Sequence, residues 1–128
     1  MLFRSPHDPG DPFAGVCPYH RDCLEGLASG PAIEARWGVK GEELAPEHPA
    51  WALEARYLAL AIANNVCTLS PERILVGGGV MRQTQLYKMI EFELTGILAG
   101  YVARIPAVIP PQLGERAGVL GALALAVR

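Results

Sequence analysis

The run Arg73-Ile74-Leu75-Val76-Gly77-Gly78-Gly79 constrains this chain more than any other stretch. After its first residue it is apolar with no polar alternation, which is how a strand buried in a parallel sheet reads. It passes directly into three glycines and then into a helical stretch from about Met81 to Leu98. A parallel strand needs a partner reached through a crossover. Ile105 to Ile109 is the candidate, with Pro106 near its start and Pro110-Pro111 closing it. Upstream, Trp51 to Leu69 is apolar nearly all round and predicts a helix buried on several sides, stopped at Ser70-Pro71. Ala117 to Val127 predicts a final helix rich in alanine and leucine. This alternation of helices and strands is that of an α/β fold with a parallel sheet. Two strands are few for such a sheet, so the rest must come from elsewhere.

Composition agrees. At 128 residues the chain has the size of one domain, yet 51% of it is hydrophobic and its mean hydropathy is +0.22. That is more apolar surface than so small a domain hides, which assigns part of it to contact with another chain or lobe. The formal net charge is −2 and the lysines and arginines are scattered, so no basic patch for nucleic acid is visible. The longest apolar runs, LALAIA and VLGALALAV, fall well short of the ~20 residues of a membrane span. The start, MLFRSPHDPGDPF, has no apolar core of a signal peptide. With three cysteines in all, these features predict a reducing cytoplasm, where close cysteines bind metal more often than they pair.

Residues 1–16 are rich in proline and glycine and read as an extended arm. Cys17, His20 and Cys23 then stand in C-x2-H-x2-C spacing, which lets thiolates and an imidazole converge on one point. Zinc takes such ligands in a tetrahedron and needs a fourth. His7 in the arm can reach over the loop to supply it. Asp8, Asp11 and Asp22 are weaker candidates, and His48 is more distant. A Cys17–Cys23 disulfide or free thiols are the plainer alternatives. Cys67 sits alone on an apolar helix face and predicts a buried, inert thiol. From Leu24 the pattern turns helical. Ser29 can cap a second helix whose first turn accepts Pro31, and Gly38 ends that helix after Trp37.

The glycines of ILVGGGV let a ligand approach the backbone closely at a strand-to-helix turn. They lack the Lys-Ser/Thr of a P-loop and the G-x-G-x-x-G spacing. A nucleotide contact and a tight structural turn both remain open on these residues.

The stretch GVCPYHRDCLEGLASGPAIEARWG resembles the zinc-loop signature of bacterial fructokinases in the ROK family (repressor, open reading frame, kinase). The likeness continues through ILVGGGVM and into LGERAGVLGALALA, and runs from His7 to the end of the chain. The resemblance implies part of an actin-like (ribonuclease H-like) ATPase lobe carrying a zinc-bound loop. It implies structural zinc held by His7, Cys17, His20 and Cys23. It implies that Glu25 binds a sugar hydroxyl, a task that suits a carboxylate because it accepts two hydrogen bonds at once. Without the resemblance, Glu25 is simply a carboxylate at a helix N-terminus. Gly77, Gly78 and Gly79 match the turn on which the adenosine of ATP rests, and magnesium is implied by the chemistry.

The departures matter equally. ROK kinases carry a D-x-G-G-T phosphate motif, a catalytic aspartate and an E-x-G-H sugar motif, all before the zinc loop, and none is found here. Arg4-Ser5 fits the end of the strand that leads into that loop. The expected layout is therefore the C-terminal part of a ROK kinase over 1–128, with arm and zinc loop in 1–23 and the helical and α/β core in 24–128. The expected activity is phosphoryl transfer from ATP to fructose or a related hexose. The isolated chain lacks the base and is expected to bind little and to catalyse nothing, completed by the missing N-terminal lobe or a homodimer partner. The competing reading is a non-enzymatic, zinc-stabilised module that binds a nucleotide or a protein partner.

Overall fold

The computed structural model describes residues 7–127. Arg4-Ser5, expected to end a strand, lies outside them. The arm leads through the cysteine loop into a single-turn helix α1 (Leu24–Leu27) and then α2 (Gly30–Trp37). Local chemistry sets the bounds of α2. Ser29 Oγ accepts a hydrogen bond from Ala32 N–H at 3.3 Å, and Pro31 occupies the first turn, where an amide proton has no intrahelical partner. Gly38 ends the helix at φ 74°, a left-handed conformation that costs glycine nothing.

Helix α3 (Ala50–Leu69) is the longest element described. His48 Nδ1 accepts from Ala50 N–H at its start (3.2 Å), so the histidine caps a helix. Ser70 closes α3 at φ 48°, ahead of Pro71. Strand β1 (Arg73–Leu75) follows, then α4 (Gln85–Leu98), β2 (Ala107–Ile109) and α5 (Ala117–Ala126). The two strands pair in parallel, Arg73 with Ala107, Ile74 with Val108 and Leu75 with Ile109. The α/β class and the incomplete parallel sheet are as expected.

The core forms between α3 and α4. Leu86, Ile90, Leu94 and Leu98 recur every four residues along α4 and are at most 4% exposed. Facing residues of the same cluster include Trp51, Ile62 and Val66 from α3, with Ala55, Ala59 and Ala63 between them. A row of alanines lets the larger α4 side chains sit close to the α3 backbone, and burial of that kind stabilises by about 1.5–3 kcal/mol per large side chain.

Four expectations need correction. Helix α3 buries one face only: Leu53, Leu58 and Leu60 are half-buried, while Asn64, Asn65 and Cys67 are exposed. Cys67 is thus a surface thiol. The stretch from Met81 is not one helix; a 3-10 turn over Val80–Arg82 comes first, held by Met81 N–H to Gly78 O and Arg82 N–H to Gly79 O. Strand β1 is not covered on both faces, and Leu75 is 62% exposed. The apolar run predicted a two-sided burial that requires layers the described residues do not supply. For the same reason α5 buries none of its residues, and Val119, Leu123 and Leu125 face outward. No helix among the described residues is long and apolar enough to cross a membrane.

Candidate functional site

The cysteine loop is a tight knuckle. Cys17 and Arg21 exchange backbone hydrogen bonds, Arg21 N–H to Cys17 O at 2.9 Å and Cys17 N–H to Arg21 O at 3.3 Å. Gly26 O accepts from Val16 N–H, which draws the start of α1 against the loop. The Arg21 carbonyl then lies against two glycines. A Cβ on Gly15 would come within 2.0 Å of that oxygen, and one on Gly26 within 1.7 Å. Backbone cannot yield cheaply there, so Gly26→Ala is expected to open the knuckle at about 1–3 kcal/mol. A urea midpoint unchanged by that substitution would show that the loop is not closed in this way.

The knuckle brings Cys17, His20 and Cys23 together, with one ligand atom from each within 4.8 Å of the others. Cys17 Sγ and His20 Nδ1 are 4.0 Å apart. Two donors on one tetrahedral zinc, at about 2.3 Å for sulfur and 2.0 Å for nitrogen, stand somewhat closer than this. A small contraction would therefore seat an ion, and the donor set fits zinc. The backbone N–H groups of His20 and Tyr19 point at the Cys17 sulfur and lower its pKa, which favours the thiolate a metal needs.

His7 is not in that group of three. Its Nε2 sits 3.3 Å from the Asp22 carboxylate, next to Cys23 in sequence, and its ring meets Tyr57 edge-on. Asp11, weighed above as a weaker ligand, has other work. Arg36 Nη1 donates to its Oδ1 at 2.6 Å, Tyr57 O–H to its Oδ2 at 2.5 Å, and Phe13 N–H to Oδ1. The Arg36 guanidinium also lies 3.9 Å above the Phe13 ring and donates to Leu27 O. Burial opposes ionisation of Asp11, but these hydrogen bonds outweigh it and hold the carboxyl below its usual pKa. Tyr57 moves the other way, pushed up to about 12 by burial and by the Asp11 carboxylate. Asp8, the other weaker candidate in the arm, lies 3.8 Å from Arg56 Nε. This latch ties the arm to α2 and α3, and sequence reasoning missed it.

A cleft of about 580 Å³ is lined by Ala28 to Pro31 at the start of α2, by Val76 to Gln83, by Trp51, Glu54 and Leu58 of α3, and by charged groups that include Lys40 and Glu42. The glycine turn and the start of α2 thus line the same cleft. Its three glycines are not equivalent. A Cβ on Gly77 would press to 3.0 Å from Pro111, and Gly78 sits at φ 111°, where other residues are strained. Gly79 has no described atom within 4 Å of a Cβ position.

Glu25 is exposed in the first turn of α1 and does not line the cleft. It stands about one helical turn before Ala28, which does. Glu54 was not singled out from the sequence. It is 3% exposed, its Oε1 has no hydrogen-bond partner among the described residues, and burial pushes its pKa up to about 7 against the opposing charge of Arg36. It is the single acidic residue within α3, a signal that was available.

The chain is 44% identical over 125 residues to a Bacillus subtilis (strain 168) protein assigned as a fructokinase, covering 92% of this chain and 42% of that one. It is 40% identical over 121 residues to the fructokinase of Pediococcus pentosaceus, again with 92% and 42% coverage. It thus spans less than half the length of these relatives. The crystal structure of a Cytophaga hutchinsonii protein assigned as a sugar kinase superposes with a TM-score of 0.65 at 19% identity, over 99% of this chain and 51% of that one. That likeness is one of fold. A model of the ROK family matches residues 6–128, and the chain belongs to that family.

Proposed function

We propose that this chain is the C-terminal part of an ATP-dependent fructokinase and contributes an actin-like lobe to it. The observation that carries the reading is that the glycine turn and the Ser29-Gly30-Pro31 start of α2 line one cleft. A backbone wall with a side-chain-free position at Gly79 suits close approach of a nucleotide. The choice of sugar rests on the fructokinases among the relatives. The arm and loop in 1–23 precede the core in 24–128, and the whole is a cytoplasmic enzyme part.

In this reading Cys17, His20, Cys23 and His7 hold a structural zinc ion, which when bound fixes the loop and does no chemistry. His7 is held by the carboxylate of Asp22, which precedes Cys23 in sequence. Glu25, just after the last cysteine, accepts hydrogen bonds from hydroxyls of the hexose. Gly77, Gly78 and Gly79 bear the adenosine of ATP. Magnesium, when bound with the nucleotide, neutralises charge on the phosphates. The base that takes the proton from the attacking hydroxyl belongs to the other lobe, as do the phosphate-binding residues. The exposed Leu75, Val119, Leu123 and Leu125 are surface for that lobe or for a homodimer partner. That surface favours the enzyme reading over a self-sufficient module.

A chimera tests this: the part of the Pediococcus pentosaceus fructokinase that precedes the matched region, joined to this chain. It is expected to phosphorylate fructose with ATP, while this chain alone does not. In the chimera Glu25→Ala should raise the KM for fructose about ten- to a hundredfold with little change in the KM for ATP. A chimera that folds, binds zinc and leaves every hexose untouched would overturn the proposal.

A further inference from the structure

A carboxyl oxygen buried without a partner is costly, and folds rarely keep one without a use for it. Glu54 lines the cleft between Trp51 and Leu58, and its Oε1 has neither a partner among the described residues nor access to solvent. What enters must therefore combine apolar ring faces, for the walls around Trp51, with a hydrogen-bond donor for Glu54. A nucleoside has both. Phosphate has neither, and a carboxylate repels it, so the phosphates of any nucleotide point away from this residue.

We propose that Glu54 determines nucleoside specificity in the cleft, accepting a hydrogen bond from a ribose hydroxyl or from the exocyclic amine of the base. This rests on reading the cleft as the nucleotide site. Ligand entry gives the orphaned oxygen its partner, so the cost of burying it is relieved only in the complex. The site is thereby biased toward ligands that carry the donor and against those that lack it.

The test is titration of the chimera described above with adenosine diphosphate, read by calorimetry, against its Glu54→Leu and Glu54→Gln variants. Leucine keeps the volume and removes the acceptor, and glutamine keeps an acceptor oxygen. Glu54→Leu should weaken binding about tenfold or more, and Glu54→Gln should stay within about threefold of wild type. Glu54→Leu should melt no lower than wild type, which separates lost recognition from lost folding. The 2′- and 3′-deoxy analogues and inosine diphosphate then locate the donor: whichever of them loses affinity on wild type and not on Glu54→Leu lacks the group that Glu54 reads. Wild-type binding with Glu54→Leu unaffected, or with all analogues equal to adenosine diphosphate, overturns this inference and leaves the nucleotide site standing. No nucleotide binding by the folded wild-type chimera overturns both.

Discussion

Replacing Glu54 by leucine is expected to stabilise this chain, and to do so increasingly as pH rises. The Glu54 carboxyl is buried and its pKa lies near 7, raised by desolvation from the ordinary 4.5. Between those values the unfolded chain has given up a proton that the folded chain still holds. Rising pH therefore favours unfolding, and the loss is complete above pH 7, where the folded state carries a buried carboxylate. A shift of this size corresponds to about 3 kcal/mol. The advantage of Glu54→Leu over wild type should thus grow by about 3 kcal/mol between pH 4 and pH 8, on top of a smaller, pH-independent gain from removing an unpartnered oxygen. Urea denaturation of both proteins at several pH values measures it. A constant difference across that range would mean that water reaches the carboxyl and that no burial penalty exists. Stability and recognition are opposed at this one residue, as is common where a fold keeps a strained or unsatisfied group for a ligand.

Much of the local structure was legible in the residues. Ser29, Pro31 and Gly38 each act through the backbone within a few positions, and all three bound α2 as their chemistry requires. The parallel pair of β1 and β2 followed from two apolar runs punctuated by glycine and proline. The C-x2-H-x2-C spacing placed three donors on one point because a tight loop leaves them little freedom. What failed to show was anything set by layers. Leu75 and the leucines of α5 look like core because they are apolar, but burial depends on what packs above them. The pairing of Asp11 with Arg36 and Tyr57 spans 25 and 46 residues, and no periodicity reports contacts at that range. Glu54 lay in plain sight as the lone acid of an apolar helix, and reading that helix only for its hydrophobic face hid it.

The Asp11 latch is where the largest loss of stability is expected. The side chains of Asp11 and Arg36 are 7% and 8% exposed, so the pair is buried. Breaking such a pair by removing one partner leaves an uncompensated charge, which costs about 3–5 kcal/mol. Asp11→Ala should therefore lower the unfolding free energy by about that much, as Arg36 keeps its Leu27 carbonyl and the Phe13 ring but loses its counter-charge. The double variant Asp11→Ala, Arg36→Met should recover part of the loss, because no buried charge remains. The pH dependence has the opposite sign to that of Glu54. Asp11 is held below its usual pKa, so its contribution is full above that value and is lost as pH falls through the lower folded one. The latch also bears on the zinc site proposed above. It fastens the arm to α3 through Tyr57, and the His7 ring rests on that same tyrosine. Freeing the arm should therefore weaken zinc retention through His7, while Cys17, His20 and Cys23 keep their knuckle. Titration with a competing chelator at a temperature where Asp11→Ala is still folded measures this. If zinc affinity does not change in Asp11→Ala, then His7 does not complete the site, and the fourth ligand has to be sought outside the arm.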